Sequence, residues 1–147
     1  MKEDVMRPRY ATEKDWPEVE ALLRASSLCV DGVREQITQF IMARDNAGLL
    51  GCAGVERYGK TGLLRGLAVA TRARSGGLGE LLLSAIVADV RQQGVESIVL
   101  QTTTASRYFA RLGFAQISYS DLPPAVLHSP ELNRAHADVG TLMQIAL

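Results

Sequence analysis

An apolar segment, an Arg- and Gly-rich turn and a long amphipathic stretch follow one another between residues 63 and 94. The segment reads LLRGLAVA, the turn TRARSGGLG and the stretch ELLLSAIVADVRQQG. This order predicts a strand, a loop and a helix over about 77–93 that ends at Gly94. Glycines let a ligand approach the backbone closely, and a helix begins with unpaired N–H groups. The turn therefore predicts a seat for a phosphate or pyrophosphate.

The spacing of the glycines excludes two common phosphate-binding loops. A P-loop has the order G-x-x-x-x-G-K-[ST], and no lysine follows the glycines here. A dinucleotide-binding turn has the order G-x-G-x-x-G, whereas GLG at 77–79 is followed by ELL. What remains is the order R-x-x-G-x-G at Arg74, Gly77 and Gly79. An ordinary helix capped by a Gly-rich loop is the structural alternative.

The composition argues against several classes of protein. The 147 residues include 16 Lys and Arg and 16 Asp and Glu, so no basic field favours a nucleic acid or a membrane surface. No apolar run reaches the ~18 residues of a membrane span, and the N-terminus lacks a signal-peptide core. Cys29, Cys52, His128 and His136 lack the spacing of a metal site. We therefore expect one cytoplasmic domain over residues 1–147, without a metal.

Apolar periodicity and turn residues predict the elements along the chain. A helix is predicted over 16–26, with a capping box that begins at Asp15. Gly59–Gly62 is predicted to be a four-residue hairpin loop. The order of elements predicts an α/β fold, a mixed sheet with helices on both faces. The other predicted helices are 33–39, 77–93 and 105–112, and the strands are 5–9, 40–44, 49–58, 63–70, 96–102, 114–118 and 140–146.

The turn resembles motif A, (Q/R)-x-x-G-x-(G/A), of the GNAT N-acetyltransferase superfamily. LQTTTASRYFARLGF at 100–114 resembles motif B, in which a short helix ends in LGF. The element order is also that of the GNAT fold, whose mixed sheet is mostly antiparallel, so the resemblance covers almost the whole chain. Two segments, GVERYGKTGLLRGLAV at 54–69 and LPPAVLHSPEL at 122–132, are similar to a narrower group, the N-acetyltransferases encoded beside arsenic-resistance genes. Gly66 and RAHA at 134–137 depart from that group, where Ser and a Cys-Pro pair are usual.

The resemblance implies acetyl-CoA as cosubstrate and places its binding on the strand and the turn. Backbone groups of 67–69 are implied to pair with the pantetheine, where the strand splays from its neighbour. The turn is implied to hold the phosphates, with a solvated basic turn as the alternative for Arg72 and Arg74. The residues assigned to the cosubstrate are Leu67, Ala68, Val69, Arg72, Arg74, Ser75, Gly76, Gly77, Leu78, Gly79, Glu80, Ser106 and Phe109.

The general acid is where the sequence departs from the family. Many members place a Tyr four residues before the Gly of LGF to protonate the CoA thiolate. That position is Phe109 here, and Tyr108 falls one residue early, about 100° away around the helix. The acid stays open: Thr103, Thr104 or Ser106 supplies it, or the thiolate leaves unassisted. No covalent intermediate is needed, so neither cysteine has to be a nucleophile.

Glu56 and Arg65 form the second candidate constellation. With a four-residue hairpin loop, Glu56 is predicted to lie opposite Arg65 on one face of the sheet. Such a pair suits a zwitterionic, amino-acid-like acceptor, with Arg65 on its carboxylate and Glu56 on its ammonium or acting as base through water. Tyr58 and Tyr108 are also assigned to the acceptor. A cross-strand ion pair without a catalytic role is the alternative.

We therefore expect an N-acetyltransferase of a small-molecule amine, with direct transfer in a ternary complex. The narrower resemblance implies an organoarsenical or glutamate-like acceptor that is detoxified by acetylation. A CoA-binding regulatory module without catalysis remains an alternative, because Phe109 and Thr102 replace the usual Tyr and Asn. A protein or peptide acetyltransferase is a third interpretation. A homodimer and an acceptor-covering role for 119–137 are left open.

Overall fold

In the computed structural model, residues 7–133 and 140–147 are described, and they form one seven-stranded sheet. The start of the predicted strand 5–9 and the segment 134–137 with His136 lie outside these residues. The strand order across the sheet is β1-β2-β3-β4-β5-β7-β6. The strands are β1 (Arg9–Tyr10), β2 (Phe40–Asp45), β3 (Gly48–Tyr58), β4 (Thr61–Val69), β5 (Ser97–Thr102), β6 (Ala115–Ile117) and β7 (Thr141–Ala146).

The longest helix follows the Gly-rich turn, as the sequence predicts. The predicted second helix is a 3₁₀ helix, Arg34–Gln39, that is kinked at Gln36. Further 3₁₀ turns cover Glu13–Asp15, Thr71–Ala73, Tyr119–Asp121 and Pro124–His128. None of the helices in residues 7–133 and 140–147 combines the length and apolarity that a bilayer crossing requires. The α-helices are α1 (Trp16–Ala25), α2 (Leu78–Gln92), α3 (Ser106–Arg111) and α4 (Pro130–Asn133).

The cap ahead of α1 lies one turn earlier than predicted. The backbone N–H of Thr12 donates to Asp15 Oδ2 at 2.8 Å, so Asp15 ends a 3₁₀ turn that Thr12 begins. Asp15 makes no side-chain cap to α1 itself. The carboxylate satisfies the earlier turn, which then runs directly into the helix.

The β3–β4 hairpin has a two-residue loop, Gly59–Lys60, instead of the predicted four. Tyr58 pairs with Thr61, so Glu56 lies opposite Leu63 and not opposite Arg65. Gly59 has a φ of +65°, a conformation that short hairpin turns use. Because the register differs from the prediction by two residues, Glu56 and Arg65 still share a face, as diagonal neighbours.

Helices cover both faces of the sheet, and each face has its own apolar core. On one face, α2 and α3 bury Leu82, Ile86 and Phe109 against the strands. On the other face, α1 packs around Phe40 and Met42, and the segment 119–133 packs Val126 and Leu132 on β4, β5 and β7. The predicted mixed sheet with two covered faces is confirmed.

The sheet opens in its centre, between β4 and β5. These strands pair in parallel only over 61–63 and 97–99, and then separate. On its other side β4 carries one extra residue, because Cys52 pairs with Ala68 while Gly54 pairs with Arg65. Gly66 lies in this bulge with a φ of +64°, and a Cβ there would meet Phe40 Cε2 at 2.7 Å. The separation from β5 leaves the edge of β4 that faces β5 without a strand partner beyond Leu63 among the described residues.

Candidate active site

A cleft of about 780 Å³ lies where β4 and β5 separate. One wall is the free edge of β4, and the other is the end of β5 with the loop that leads into α3. The turn before α2 closes one end, and the loop after α1 with α4 borders the other. The lining residues are 26–29, 64, 66–69, 73–75, 77–80, 100–105, 108, 109, 111 and 131.

The Gly-rich turn presents backbone to the cleft. Gly77, with a φ of +79°, precedes the first residue of α2, and no side chain caps the helix. The first N–H groups of α2 therefore lack intrahelical partners and carry the positive end of the helix dipole. Gly79 lets the chain approach Tyr108, because an added Cβ would lie 3.0 Å from the Tyr108 hydroxyl. This is the geometry of an anion seat.

Two residues that the sequence assigns to the phosphates, Arg72 and Gly76, do not line the cleft. Arg72 donates to both carboxylate oxygens of Asp45, at 2.7 and 2.8 Å, and is not part of the cleft lining. The hydrogen bond from Arg72 lowers the pKa of Asp45 to about 2. Gly76 is also absent from the lining. Arg74 does line the cleft, where its Nε donates to the carbonyl of Val69 at 3.0 Å.

The backbone assigned to pantetheine lies where the sequence places it. Leu67, Ala68 and Val69 form the cleft wall beyond the point where β4 and β5 separate. An edge with free N–H and C=O groups can pair with an extended ligand in the manner of an added strand. The amide-containing arm of a pantetheine has groups of this kind.

The threonines after β5 line the opposite wall. Thr102 Oγ1 accepts the N–H of Ala105 at 2.9 Å, which forms the turn into α3, and Thr103 and Thr104 face the cleft. Gly140 packs against the backbone of this loop so closely that an added Cβ would lie 2.5 Å from the Thr102 carbonyl oxygen. Ser106, the remaining hydroxyl candidate, is not among the lining residues.

Tyr108 and Phe109 both border the cleft, but only Tyr108 brings a hydroxyl to it. The Phe109 ring packs edge-on between the Tyr108 and Phe114 rings, at centroid distances of 5.2 and 5.5 Å, and is 7% exposed. Burial, and then the Glu80 carboxylate, raise the pKa of Tyr108. The phenol therefore stays protonated at neutral pH and can donate, although it stands one residue before the family position.

Glu56 and Arg65 meet in the interior, beside the cleft. Arg65 Nη1 donates to Glu56 Oε2 at 2.8 Å and to the Asp31 carbonyl at 2.7 Å, and Nη2 donates to the Cys29 carbonyl. Glu56 Oε1 accepts the hydroxyls of Tyr58 at 2.8 Å and Ser129 at 2.7 Å. Both charged residues are at most 3% exposed. This network ties the loop after α1 and the segment before α4 to the sheet.

Glu56, Tyr58 and Arg65 are absent from the cleft lining, which contains one feature that the sequence analysis missed and one that it left open. The missed feature is the turn 26–29 after α1. The other is Glu131, in the segment 119–137, whose Oε1 lies 3.4 Å from Arg65 Nε. The sequence signal for Glu131 was its place in the Pro-containing segment, for which a surface connection or a dimer contact was the alternative to covering the acceptor. Among residues 7–133 and 140–147, no group of three His, Cys, Asp or Glu side chains is placed to hold a metal ion.

A comparison with protein families matches the model described as "Acetyltransferase (GNAT) domain" to residues 36–116, more than half of the chain. The chain belongs to the GNAT acetyltransferase family. The predicted superfamily is thereby confirmed. The matched residues run from the 3₁₀ helix before β2 to β6 and include both walls of the cleft.

Relatives of this GNAT chain include amino-acid acetyltransferases. It is 30% identical over 131 residues to "Amino-acid acetyltransferase" of Neisseria meningitidis serogroup A, which covers 83% of this chain. It spans only 30% of that relative's length. The uncharacterized protein YwlB of Bacillus subtilis is 29% identical over 109 residues, 72% of this chain and 74% of the relative. Neither name points to an arsenic-resistance group.

Solved GNAT structures share the fold. An N-acetylglutamate synthase from Neisseria gonorrhoeae, complexed with coenzyme A and N-acetyl-glutamate, gives a TM-score of 0.83 at 24% identity. The match covers 100% of this chain and 36% of that one. A GNAT acetyltransferase from Staphylococcus aureus gives 0.81 at 18% identity, over 97% of this chain and 99% of the other. The predicted fold class is confirmed.

Proposed function

We propose that this GNAT domain is an acetyl-CoA-dependent N-acetyltransferase of a small, amino-acid-like amine, with direct transfer in a ternary complex. The observation that carries the proposal is the wedge between β4 and β5, which runs from the Arg65 region to the glycine turn. Strands rise about 3.3 Å per residue, so Arg65 and Val69 lie roughly 13 Å apart along β4. A thioester lying between them would have its phosphates at the turn and its acyl group near the bulge.

The residues present fit acetyl-CoA. The α2 N-terminus and the backbone at Gly77 and Gly79 offer N–H donors to a pyrophosphate, and Arg74 and Arg111 add positive charge at the cleft. The free edge of β4 offers hydrogen bonds to the pantetheine arm. Bound acetyl-CoA supplies the activated acyl group. The chain itself holds it, excludes water and receives the amine.

An amino acid is the acceptor class that we favour. The Neisseria meningitidis relative is named an amino-acid acetyltransferase, and the Neisseria gonorrhoeae synthase was solved with N-acetyl-glutamate. A glutamate-like organoarsenical belongs to the same chemical class and remains the finer hypothesis. The roles of Arg65 on the acceptor carboxylate and of Glu56 on the amine remain predictions. Glu56 and Arg65 are buried and do not line the cleft. They would therefore act on the acceptor through Glu131 and the turn 26–29, which do line it.

Three hydroxyls on the cleft are candidates to stabilise or protonate the departing thiolate: Tyr108, Thr103 and Thr104. Tyr108 is the strongest, because burial, and then the Glu80 carboxylate, raise the pKa of its phenol, which carries its proton at neutral pH and can donate it. A regulatory module that binds CoA without catalysis and a peptide acetyltransferase remain the competing functions. The cytoplasmic location, the single domain over 1–147 and a homodimer remain predictions.

The test combines binding with turnover. Calorimetry with acetyl-CoA should show saturable binding that Gly77→Glu abolishes, because the new side chain would occupy the anion seat. Thiol release is then measured with L-glutamate, its α-amide, an arsonate analogue of glutamate and a short peptide. Release with the free amino acids supports the proposal. Binding without release on any amine favours the regulatory module, and release with the peptide alone favours a peptide acetyltransferase.

A further inference from the structure

Two segments that are distant in the sequence border the end of the cleft away from the glycine turn. The turn 26–29 follows α1, and Glu131 is in α4. Strands β2 to β6 lie between the two segments along the chain. We call residues 26–32 and 129–131 together the acceptor rim, because the proposed acceptor would bind at this end.

The two segments of the acceptor rim contact each other at Gly32 and Pro130. Gly32 has a φ of +78°, and an added Cβ would lie 2.6 Å from Pro130 Cγ, closer than two carbon atoms can pack. The proline ring cannot rotate aside, because it closes on its own backbone nitrogen. A residue without a side chain at position 32 therefore lets the two segments approach each other this closely.

A series of buried hydrogen bonds joins the same two segments through the sheet. The N–H of Glu131 donates to Ser129 Oγ at 3.3 Å, and the Ser129 hydroxyl donates to Glu56 Oε1 at 2.7 Å. Glu56 Oε2 accepts from Arg65 Nη1 at 2.8 Å. Arg65 also donates to two backbone carbonyls of the first segment. The ion pair is thus bonded to both segments of the acceptor rim.

The buried side chains of this series are suited to position the acceptor rim and not to contact an acceptor. Glu56, Arg65 and Ser129 are at most 3% exposed, and none of them lines the cleft. Removing a hydrogen bond from a buried charged group is costly, so the pair resists a change of partners. An acceptor in the cleft would meet the acceptor rim, whose place on the sheet the pair fixes.

The acceptor rim has a polar group that a ligand could use. The Ser26 hydroxyl oxygen is buried, yet it has no hydrogen-bond partner among residues 7–133 and 140–147. Ser26 lines the cleft. A buried hydroxyl without a partner costs free energy that a polar group of a bound acceptor would recover. Moving the acceptor rim would move this hydroxyl.

We infer that the acceptor rim is a single unit, positioned by Gly32, Ser129 and the Glu56–Arg65 pair, and that its position sets the affinity for the acceptor amine. The inference rests on the proposed function and deepens it. These four are positioning residues. A change in one segment should therefore loosen the other segment and weaken acceptor binding, while the phosphate end of the cleft keeps its affinity.

The decisive variant is Gly32→Ala, with Gly59→Ala as its matched control. Both glycines have a positive φ, +78° and +65°, so both substitutions strain the backbone. Around Gly59, no heavy atom of the described residues beyond its chain neighbours would lie within 4 Å of an added Cβ, whereas Gly32→Ala pushes against Pro130. Hydrogen–deuterium exchange should become faster in both segments of the acceptor rim in Gly32→Ala, and in neither segment in Gly59→Ala.

The reciprocal variant is Ser129→Ala, which removes the link between Glu56 and α4 without straining the backbone. Exchange should again become faster in both segments. Ser118→Ala is its control, because the Ser118 hydroxyl bonds to Asp121 in an exposed turn, and it should change exchange in neither segment. Faster exchange only in the segment that carries the substitution would overturn the single unit.

Turnover tests what the position of the acceptor rim does. Gly32→Ala and Ser129→Ala should raise the KM for the acceptor about tenfold with a smaller change in kcat, because misplaced contacts weaken its binding. The KM for acetyl-CoA should change by less than about twofold. An unchanged acceptor KM despite faster exchange would overturn the role in acceptor binding. If the wild-type protein acetylates no amine, the proposed function fails, and the exchange measurement still decides whether the acceptor rim is one unit.

Discussion

Arg65 donates a 2.8 Å hydrogen bond to Glu56 although the two residues are not opposite each other in the β3–β4 hairpin. Glu56 lies opposite Leu63, and Arg65 lies two residues further along β4. The guanidinium reaches back diagonally across the sheet face. At this point it also binds the carbonyls of two residues in the loop after α1. One side chain thus joins the hairpin to the loop that borders the cleft.

Breaking this buried pair from one side should be strongly destabilising. Arg65→Met leaves the Glu56 carboxylate buried without its cation, so we expect a loss of about 3–5 kcal/mol in the free energy of unfolding. Glu56→Gln combined with Arg65→Met should cost less than the sum of the two single changes. Urea unfolding of the four proteins measures the coupling. Strictly additive losses would mean that the two side chains are energetically independent.

Cosubstrate binding should depend on Arg74 more than on Arg72. Arg74 lines the cleft, whereas Arg72 is bonded to both oxygens of Asp45. Arg74→Ala should weaken acetyl-CoA binding by ~1–3 kcal/mol, the scale of a lost charged hydrogen bond. Arg72→Ala should change binding by less than threefold, like the control Arg91→Ala in the last turn of α2. Equal losses at 72 and 74 would show that Arg72 leaves Asp45 to bind the phosphates.

Tyr58 should make the protein sensitive to alkaline pH. Burial, and then the hydrogen bond to Glu56, raise the pKa of Tyr58 from 10.0 to about 12. The unfolded chain therefore loses this proton first, and stability that is complete below pH 10 is lost between pH 10 and 12. Tyr58→Phe should flatten the fall in denaturation midpoint over that range, compared with the wild-type protein. Tyr10→Phe, in β1, should flatten the fall in the same way, because the pKa of Tyr10 is also raised to about 12.

The two cysteines should react differently with iodoacetamide at pH 8. Burial raises the pKa of the Cys52 thiol to about 12, so almost no thiolate is present and the native protein should leave it unmodified. Cys29 is half-buried and lines the cleft, so it should be alkylated. Acetyl-CoA together with an amino acid should slow that alkylation. Peptide mass mapping reads both sites, and prompt alkylation of Cys52 would contradict the buried placement.

The sequence determined the glycine turn and the strand and helix on either side of it. A strand, a turn with R-x-x-G-x-G and an amphipathic helix are local patterns, because backbone conformation at glycines and helical periodicity depend on neighbouring residues. The prediction of 77–93 for α2 therefore agrees with Leu78–Gln92 to within a residue at each end. The shared face of Glu56 and Arg65 was also predictable, because side-chain alternation in strands survives a register change of two.

Only the tertiary structure decided what the charged side chains bind. The short turn at Gly59 moved Glu56 opposite Leu63, and the approach of the β2–β3 turn drew Arg72 to Asp45. Ser26 and Glu131 are far apart in the sequence, and they line one cleft because the loop after α1 and α4 both pack on the face that carries Arg65. Such contacts depend on how distant segments fill a common core, and no local pattern encodes them.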